Sequence, residues 1–227
     1  MSYSEILEFF NPGDLVLIGA RPGMGKTSFS IGLFVQAVQR KSASNYFFTL
    51  AENHKDIAGR IANYDETIGN FDQSLGYPGN SHLGYIAVDY SNDISADYII
   101  EKITPTVSKG SLVVIDYLQM LDEKRVNPPL QAQVEKLKNF AKENKCIIIF
   151  ISQIRREVEN RKERTPKLED IRLPNPLDLK LLNKVILLHR ETKDSQEVQV
   201  NFYRPKEHGF LVKWDRENCR FFCMQSW

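Results

Sequence analysis

Cysteine is scarce: the chain has three in 227 residues, at Cys146, Cys219 and Cys223. An odd count cannot pair completely, and Cys146 stands in the apolar run CIIIFIS, where a buried thiol is expected, so the pattern indicates a reducing compartment. Cys219 and Cys223 lack the nearby Cys or His pair that would complete a tetrahedral zinc shell. An excess of one charge is also missing: 30 Lys and Arg against 29 Asp and Glu leave +1. No global field therefore draws the chain to nucleic acid or an anionic membrane, and any basic site must be local. No apolar run reaches the roughly 18 residues that begin to span a bilayer. The opening MSYSEILEFFNPGD carries acids without the basic start of an export signal. A soluble, cytoplasmic protein with no membrane contact is the expectation.

What is present is an ordinary globular core. With 42% hydrophobic residues, the chain is long enough for one domain spanning residues 1–227. Short β-rich runs recur as LVLIG (15–19), NYFFTL (45–50), GYIAVDY (84–90), SLVVID (111–116) and CIIIFIS (146–152), and helical patterns separate most of them. In QAQVEKLKNFAKEN, Val134, Leu137 and Ala141 recur at helical spacing between charges, which predicts a helix with one face on a sheet. Strands alternating with helices imply an α/β fold with a mostly parallel, twisted sheet flanked by helices. After residue 184, KVILLHR, EVQVNFYRP, FLVKWD and CRFFC follow one another across polar turns and predict C-terminal antiparallel strands. Residues 1–12 form a short N-terminal remnant, and the charged, proline-bearing stretch at 155–176 predicts a mobile surface loop.

GARPGMGKTS (19–28) joins the first strand to a helical pattern and nearly matches G-x-x-x-x-G-K-[ST]. Counting five back from Gly25 reaches Ala20, with glycine one place earlier at Gly19. Such a loop works because successive backbone N–H groups curl around phosphate oxygens at a helix N-terminus, where the macrodipole favours negative charge. The candidate nucleotide-binding residues are Arg21, Pro22, Gly23, Met24, Gly25, Lys26, Thr27 and Ser28. Gly23 and Gly25 supply the permissive backbone, Lys26 reaches the β- and γ-phosphates, and the Thr27 hydroxyl ligates Mg2+. Ala20 is accommodated at the loop entrance if its backbone needs no positive φ. The bland alternative, a glycine-rich turn that caps a helix, gives no reason for Lys26 and Thr27 to follow the second glycine. Further on, LVVID ends in Asp116 after four apolar residues, as a Walker B strand does when it delivers a carboxylate to the Mg2+ shell.

ARPGMGKTSF, VVIDYLQM and ISQIRREVENR together resemble the RecA-like ATPase domain of DnaB-like replicative helicases. Asp116-Tyr117-Leu118-Gln119 is the most specific part, and FLVKWDRENCRFF is similar to the family's closing strands. The resemblance accounts for Ala20, since that family often carries alanine there. It implies a RecA-like P-loop NTPase core that binds ATP with Mg2+, hydrolyses it and acts on single-stranded DNA as a helicase or translocase. Lys26 and Thr27 match the ATP and Mg2+ ligands, Asp116 the Walker B acid, and Gln153 the glutamine that senses the γ-phosphate. Arg172, in EDIRLP, matches an arginine in a loop that contacts the single-stranded DNA backbone. Arg204, in NFYRPKEHG, matches the arginine finger given to a neighbouring subunit's ATP. A solvated surface charge is the alternative for both arginines.

Three departures from the family stand beside these matches. Its second strand ends in Leu-Glu, whose glutamate activates the attacking water. In FFTLAENHKDIAGR the flanking Leu50 and Arg60 put Ala51 at that position and Glu52 one place later. Successive strand side chains point to opposite faces, so this slip turns the carboxylate away unless a bulge or loop corrects it. Phe202 stands where the family often has a lysine, with Lys206 in the next loop as a substitute. The family also has a helical domain and a linker helix that docks on the next subunit. Here only about twelve residues precede the first strand, so a homo-oligomer follows from the resemblance but a closed ring does not. The chain reads either as a naturally minimal relative or as an excised domain.

For DNA contact, Arg155, Arg156, Arg161, Lys162, Arg164 and Lys167 form one basic candidate stretch, diluted by Glu157, Glu159 and Glu163. That mixture suits a solvated face with i,i+4 pairs as well as it suits DNA. DEKRVNPP (122–129), after the Walker B strand, adds Lys124 and Arg125. Two functional readings lead, ahead of a recombinase- or clock-type RecA-fold ATPase, which shares the strand-loop-helix logic but not the Asp116-to-Gln119 run. One is an ATP-hydrolysing helicase domain with Lys26, Glu52, Asp116, Gln153 and Arg204 as catalytic candidates and Arg125, Arg155, Arg156 and Arg172 on DNA. The other is a nucleotide-binding relative, impaired in hydrolysis, that regulates or loads a replication or mobile-element assembly.

Overall fold

The computed structural model describes residues 2–40, 43–49, 54–64, 86–89, 94–122, 128–173, 175–204, 208–215 and 220–223. The helices are α1 (Tyr3–Glu8), α2 (Lys26–Gln39), α3 (His54–Tyr64), α4 (Ala96–Ile103) and α5 (Leu130–Asn144). The parallel strands are β1 (Leu15–Ala20), β2 (Asn45–Thr49), β3 (Ile86–Asp89), β4 (Leu112–Asp116), β5 (Ile147–Gln153) and β6 (Lys184–His189). They are followed by β7 (Glu197–Arg204), β8 (His208–Asp215) and β9 (Arg220–Cys223). These strands lie in one sheet, ordered β3-β2-β4-β5-β1-β6-β7-β8-β9.

β1 is buried along its whole length, as a strand covered on both faces must be. Alternation splits its side chains: Val16 and Ile18 join the layer made with α1, α2 and α3, while Leu15 and Leu17 face α4 and α5. Each fully buried Ile or Leu in these layers contributes roughly 1.5–3 kcal/mol. α5 buries Leu130, Gln133, Val134, Leu137, Phe140 and Ala141, so the helical spacing of Val134, Leu137 and Ala141 does mark its sheet-facing side. α4 starts at Ser95, whose hydroxyl accepts from the Tyr98 N–H at 3.2 Å. Cys146 is fully buried, and burial pushes its thiol up to about 11.

The architecture is the expected one, a mostly parallel α/β sheet with antiparallel strands at the C-terminal side, with one correction. β6, read from sequence as the first antiparallel strand, runs parallel to β1, with Leu17 opposite Val185. Antiparallel pairing begins one strand later, between β6 and β7. The reason lies in the crossover from β5 to β6. It contains short 3-10 turns at Arg156–Asn160, Leu168–Asp170 and Leu179–Leu181. No helical rhythm announces a parallel return. Within it, Ile154 bridges Ile171 and the Arg161 guanidinium pairs with the buried Asp170 carboxylate. Among the described residues, no helix is long and apolar enough to cross a membrane.

Parallel pairing sets the site. β4, β5 and β1 are adjacent and point the same way, with Asp116 opposite Ile151 and Ala20 opposite Gln153. Their carboxyl ends therefore emerge side by side, the edge at which sheets of this kind bind ligands.

Candidate functional site

Between β1 and α2 the chain makes a tight loop, with the Met24 N–H on the Arg21 carbonyl at 3.3 Å. Gly23 and Gly25 have φ of +76° and +91°, a region that disfavours any side chain. Gly25 is the N-cap of α2, and no side chain caps the helix. Its first N–H groups are thus left to an anion, with the macrodipole behind them. Ala20 is the last residue of β1, and Lys145 is the one non-glycine with positive φ among the described residues, so alanine meets the loop without strain. The early glycine has a packing reason: a β-carbon on Gly19 would lie 2.7 Å from Leu187 of β6.

Thr27 and Asp116 meet across this edge. The buried Thr27 hydroxyl donates to Asp116 Oδ2 at 2.8 Å, and Asp116 is fully buried at the end of β4. The Asp116-Tyr117 peptide bond is cis. Lys26, half-buried, opens α2, and Ser28 in the same turn accepts from Arg60 of α3.

Gln153 ends β5 beside the loop and is tied to Arg172. The Arg172 N–H donates to the Gln153 carbonyl at 2.8 Å, and Arg172 Nη1 reaches Gln153 Oε1 at 3.3 Å. Pro22, Gln153, Arg155, Arg156, Glu157 and Arg172 line a cleft of about 590 Å³. It joins the phosphate loop to three of the four arginines named for DNA. Arg155, Arg156 and Arg172 are all exposed.

Arg204 lies elsewhere. It ends β7 opposite Val185, next to a bulge, and donates to the Leu179 carbonyl at 2.9 Å. Phe202 turns inward, buried, stacked on His208 with ring centres 4.4 Å apart and 5.7 Å from Phe9. Glu52 and its neighbour Ala51, Arg125, Lys124 and Lys206 lie outside the described residues.

Sequence reading missed two residues of the turn between β6 and β7. Buried Arg190 donates to the Lys193 and Ser195 carbonyls, lies 5.2 Å from the Trp214 ring centre, and accepts on its own carbonyl from Arg21 of the phosphate loop. The turn thereby lays Lys193 across Gly23, where an added β-carbon would lie 3.1 Å from Lys193 Cε and 3.7 Å from its Nζ. Beside it, burial first and then the charge of Arg21 lower the pKa of His189. The sequence signal is a charged turn after a buried strand, with Arg190 and Lys193 among Glu191 and Asp194, and it becomes informative once β6 is known to flank β1.

A parallel sheet whose glycine loop opens an uncapped helix beside a strand-end aspartate defines the RecA-like P-loop fold class. Within it, the profile of the DnaB-like helicase C terminal domain matches residues 2–217, and the chain belongs to that family. A replicative DNA helicase DnaB of Mycoplasma genitalium is 30% identical over 222 residues, spanning 87% of this chain and 47% of that protein. The chain spans about half the length of the curated relatives it matches. Among solved structures, that of a DnaB-like replicative helicase and its interactions with primase superimposes with a TM-score of 0.75 at 20% identity, covering 95% of this chain and 58% of that one. A KaiC-like protein from the hyperthermophilic archaeon Pyrococcus horikoshii gives 0.62 at 15% identity, covering 94% and 90%.

Proposed function

We propose that the chain is the ATP-hydrolysing motor domain of a DnaB-like helicase, acting on single-stranded DNA. The observation that carries this reading is the 2.8 Å pairing of Thr27 with Asp116 beside the uncapped start of α2. The residues fit Mg2+ and ATP: hard oxygen donors stand together, a helix N-terminus is free for phosphate, and Gly23 and Gly25 leave no side chain in the cradle. Thr27 and Asp116 would hold the metal, which when bound neutralises phosphate charge.

The chain's own groups supply the rest. Backbone N–H groups of the loop and the first turn of α2 orient the phosphates, and the Lys26 ammonium offsets their charge as the terminal group leaves. Gln153 offers a carboxamide at the γ-phosphate side, and Glu52 is the candidate base for the attacking water. Arg155, Arg156 and Arg172 provide exposed donors for DNA phosphates, with Arg125 as a further candidate. Arg204 acts on a neighbouring copy's ATP, a contribution of about 10³ to 10⁵ in rate where such fingers operate.

ATP turnover measured with and without single-stranded DNA tests the reading. Wild type should turn over ATP, faster with DNA, and Lys26→Ala should lower the rate at least about a hundredfold. A wild-type rate no higher than that of Lys26→Ala overturns it.

The buried Phe202 favours a second reading. At a position where a lysine would face a neighbour, this chain has an aromatic ring turned inward, stacked on His208 and tilted against Phe9. A binding module that holds nucleotide but hydrolyses it poorly would dispense with that cation. Tight nucleotide binding by calorimetry with no turnover at high protein concentration selects this alternative.

A further inference from the structure

Gln119 is absorbed by none of the roles above, although it is buried in the 3-10 turn Leu118–Asp122 that follows Asp116. Its Nε2 donates to Ser152 Oγ at 3.0 Å and to the backbone carbonyl of Arg172. Ser152 directly precedes Gln153, and Arg172 in turn holds Gln153 through the N–H and guanidinium contacts already described. One amide thus joins three segments: the turn after the Asp116 carboxylate, the strand end that carries Gln153, and the loop that carries Arg172.

The chemistry requires a donor at this place. A backbone carbonyl only accepts, so the group facing Arg172 must be the NH2 of Gln119, which fixes the orientation of the amide. That orientation leaves Gln119 Oε1 a buried acceptor with no hydrogen-bond partner. An apolar side chain of similar volume would avoid this unfavourable group, so packing alone does not account for glutamine here.

We propose that Gln119 is a positioning residue that fastens the Arg172 loop to the end of β5 and so sets where Gln153 points. This rests on the reading of Gln153 and Arg172 given under the proposed function. The Arg172 guanidinium reaches Gln153 through Nη1 alone, and a DNA phosphate that draws the guanidinium outward breaks that contact. When it leaves Gln153 for DNA, the backbone tie through Gln119 keeps the loop in place, so that DNA capture changes Gln153 rather than releasing the whole loop.

The test uses Gln119→Glu, which keeps the size and lets Ser152 donate to the new carboxylate, but sets an acceptor against the Arg172 carbonyl. Gln119→Met, which lacks any donor, repeats the test should the carboxylate prevent folding. Amide hydrogen exchange at Arg172 should quicken at least about tenfold while the global melting temperature moves by only about 3 °C. The ratio of DNA-stimulated to basal ATP turnover should fall at least about fivefold, and adding Arg172→Ala should lower it little further, because the two residues act as one unit. Unchanged exchange at Arg172 overturns the tie. Quickened exchange with an equal loss of basal and stimulated turnover overturns the positioning role in favour of a merely structural one. A wild type without turnover would defeat the proposed function instead, and the exchange measurement would still decide whether Gln119 holds the loop.

Discussion

At the scale of single residues, His189 is a group whose charge the fold opposes. Burial and Arg21 lower its pKa, Arg164 adds to this, and Glu191 3.5 Å away opposes it. The folded chain therefore binds fewer protons than the unfolded one over the window below the ordinary histidine value. Stability from this group is fully present above about pH 6.5 and is lost as the pH falls through the lower, folded value. Melting temperatures recorded from pH 7.5 down to 5 should fall more in wild type than in His189→Phe. Parallel curves for the two proteins would assign the acid sensitivity to other groups. The residue scale also holds most of what the sequence could tell. Lys26, Thr27 and Asp116 are legible from local spacing, because loop chemistry and strand ends are written in consecutive residues, whereas Gln153 is named only through the family resemblance. The contacts of Gln119 with Arg172 and of Arg190 with Arg21 are not legible, since they join residues 53 and 169 apart, and only the fold brings those stretches together.

At the scale of elements, the join between β1 and α2 is the constrained piece. Gly25 has a left-handed backbone, and a β-carbon there would come within 2.6 Å of the Phe221 ring. Gly25→Ala should destabilise the protein by at least about 1–2 kcal/mol in chemical denaturation, the strain of a left-handed alanine, and weaken nucleotide binding tenfold or more. Adding Phe221→Leu should recover only the steric part. Wild-type nucleotide affinity in Gly25→Ala would mean that the loop does not hold phosphate through this backbone. The elements also show why β6 was misread. β1 through β5 alternate with helices, so their direction is legible from periodicity. The return to β6 passes through 3-10 turns of three to five residues, too short to carry such a signal.

At the scale of the whole molecule, Arg204 is far from the chain's own loop. It is level with Leu17, three residues back along β1 and two strands across, roughly 14 Å between backbones, and its guanidinium turns to Leu179. Lys26→Ala and Arg204→Ala chains, each inactive alone, should therefore recover activity when mixed, up to about a quarter of wild type if copies assemble at random. No recovery in a verified mixed assembly would remove Arg204 from the reaction.

The antiparallel strands have a consequence of another kind. Phe221 and Trp214 back Gly25, while Tyr64 links α3 to both Ser28 and Phe221. The loop at residues 19–28 leaves the ribosome about 200 residues before the strand that supports it. During synthesis, then, the loop between β1 and α2 emerges without the rings that back Gly25, and its surroundings are complete only after β9 has docked.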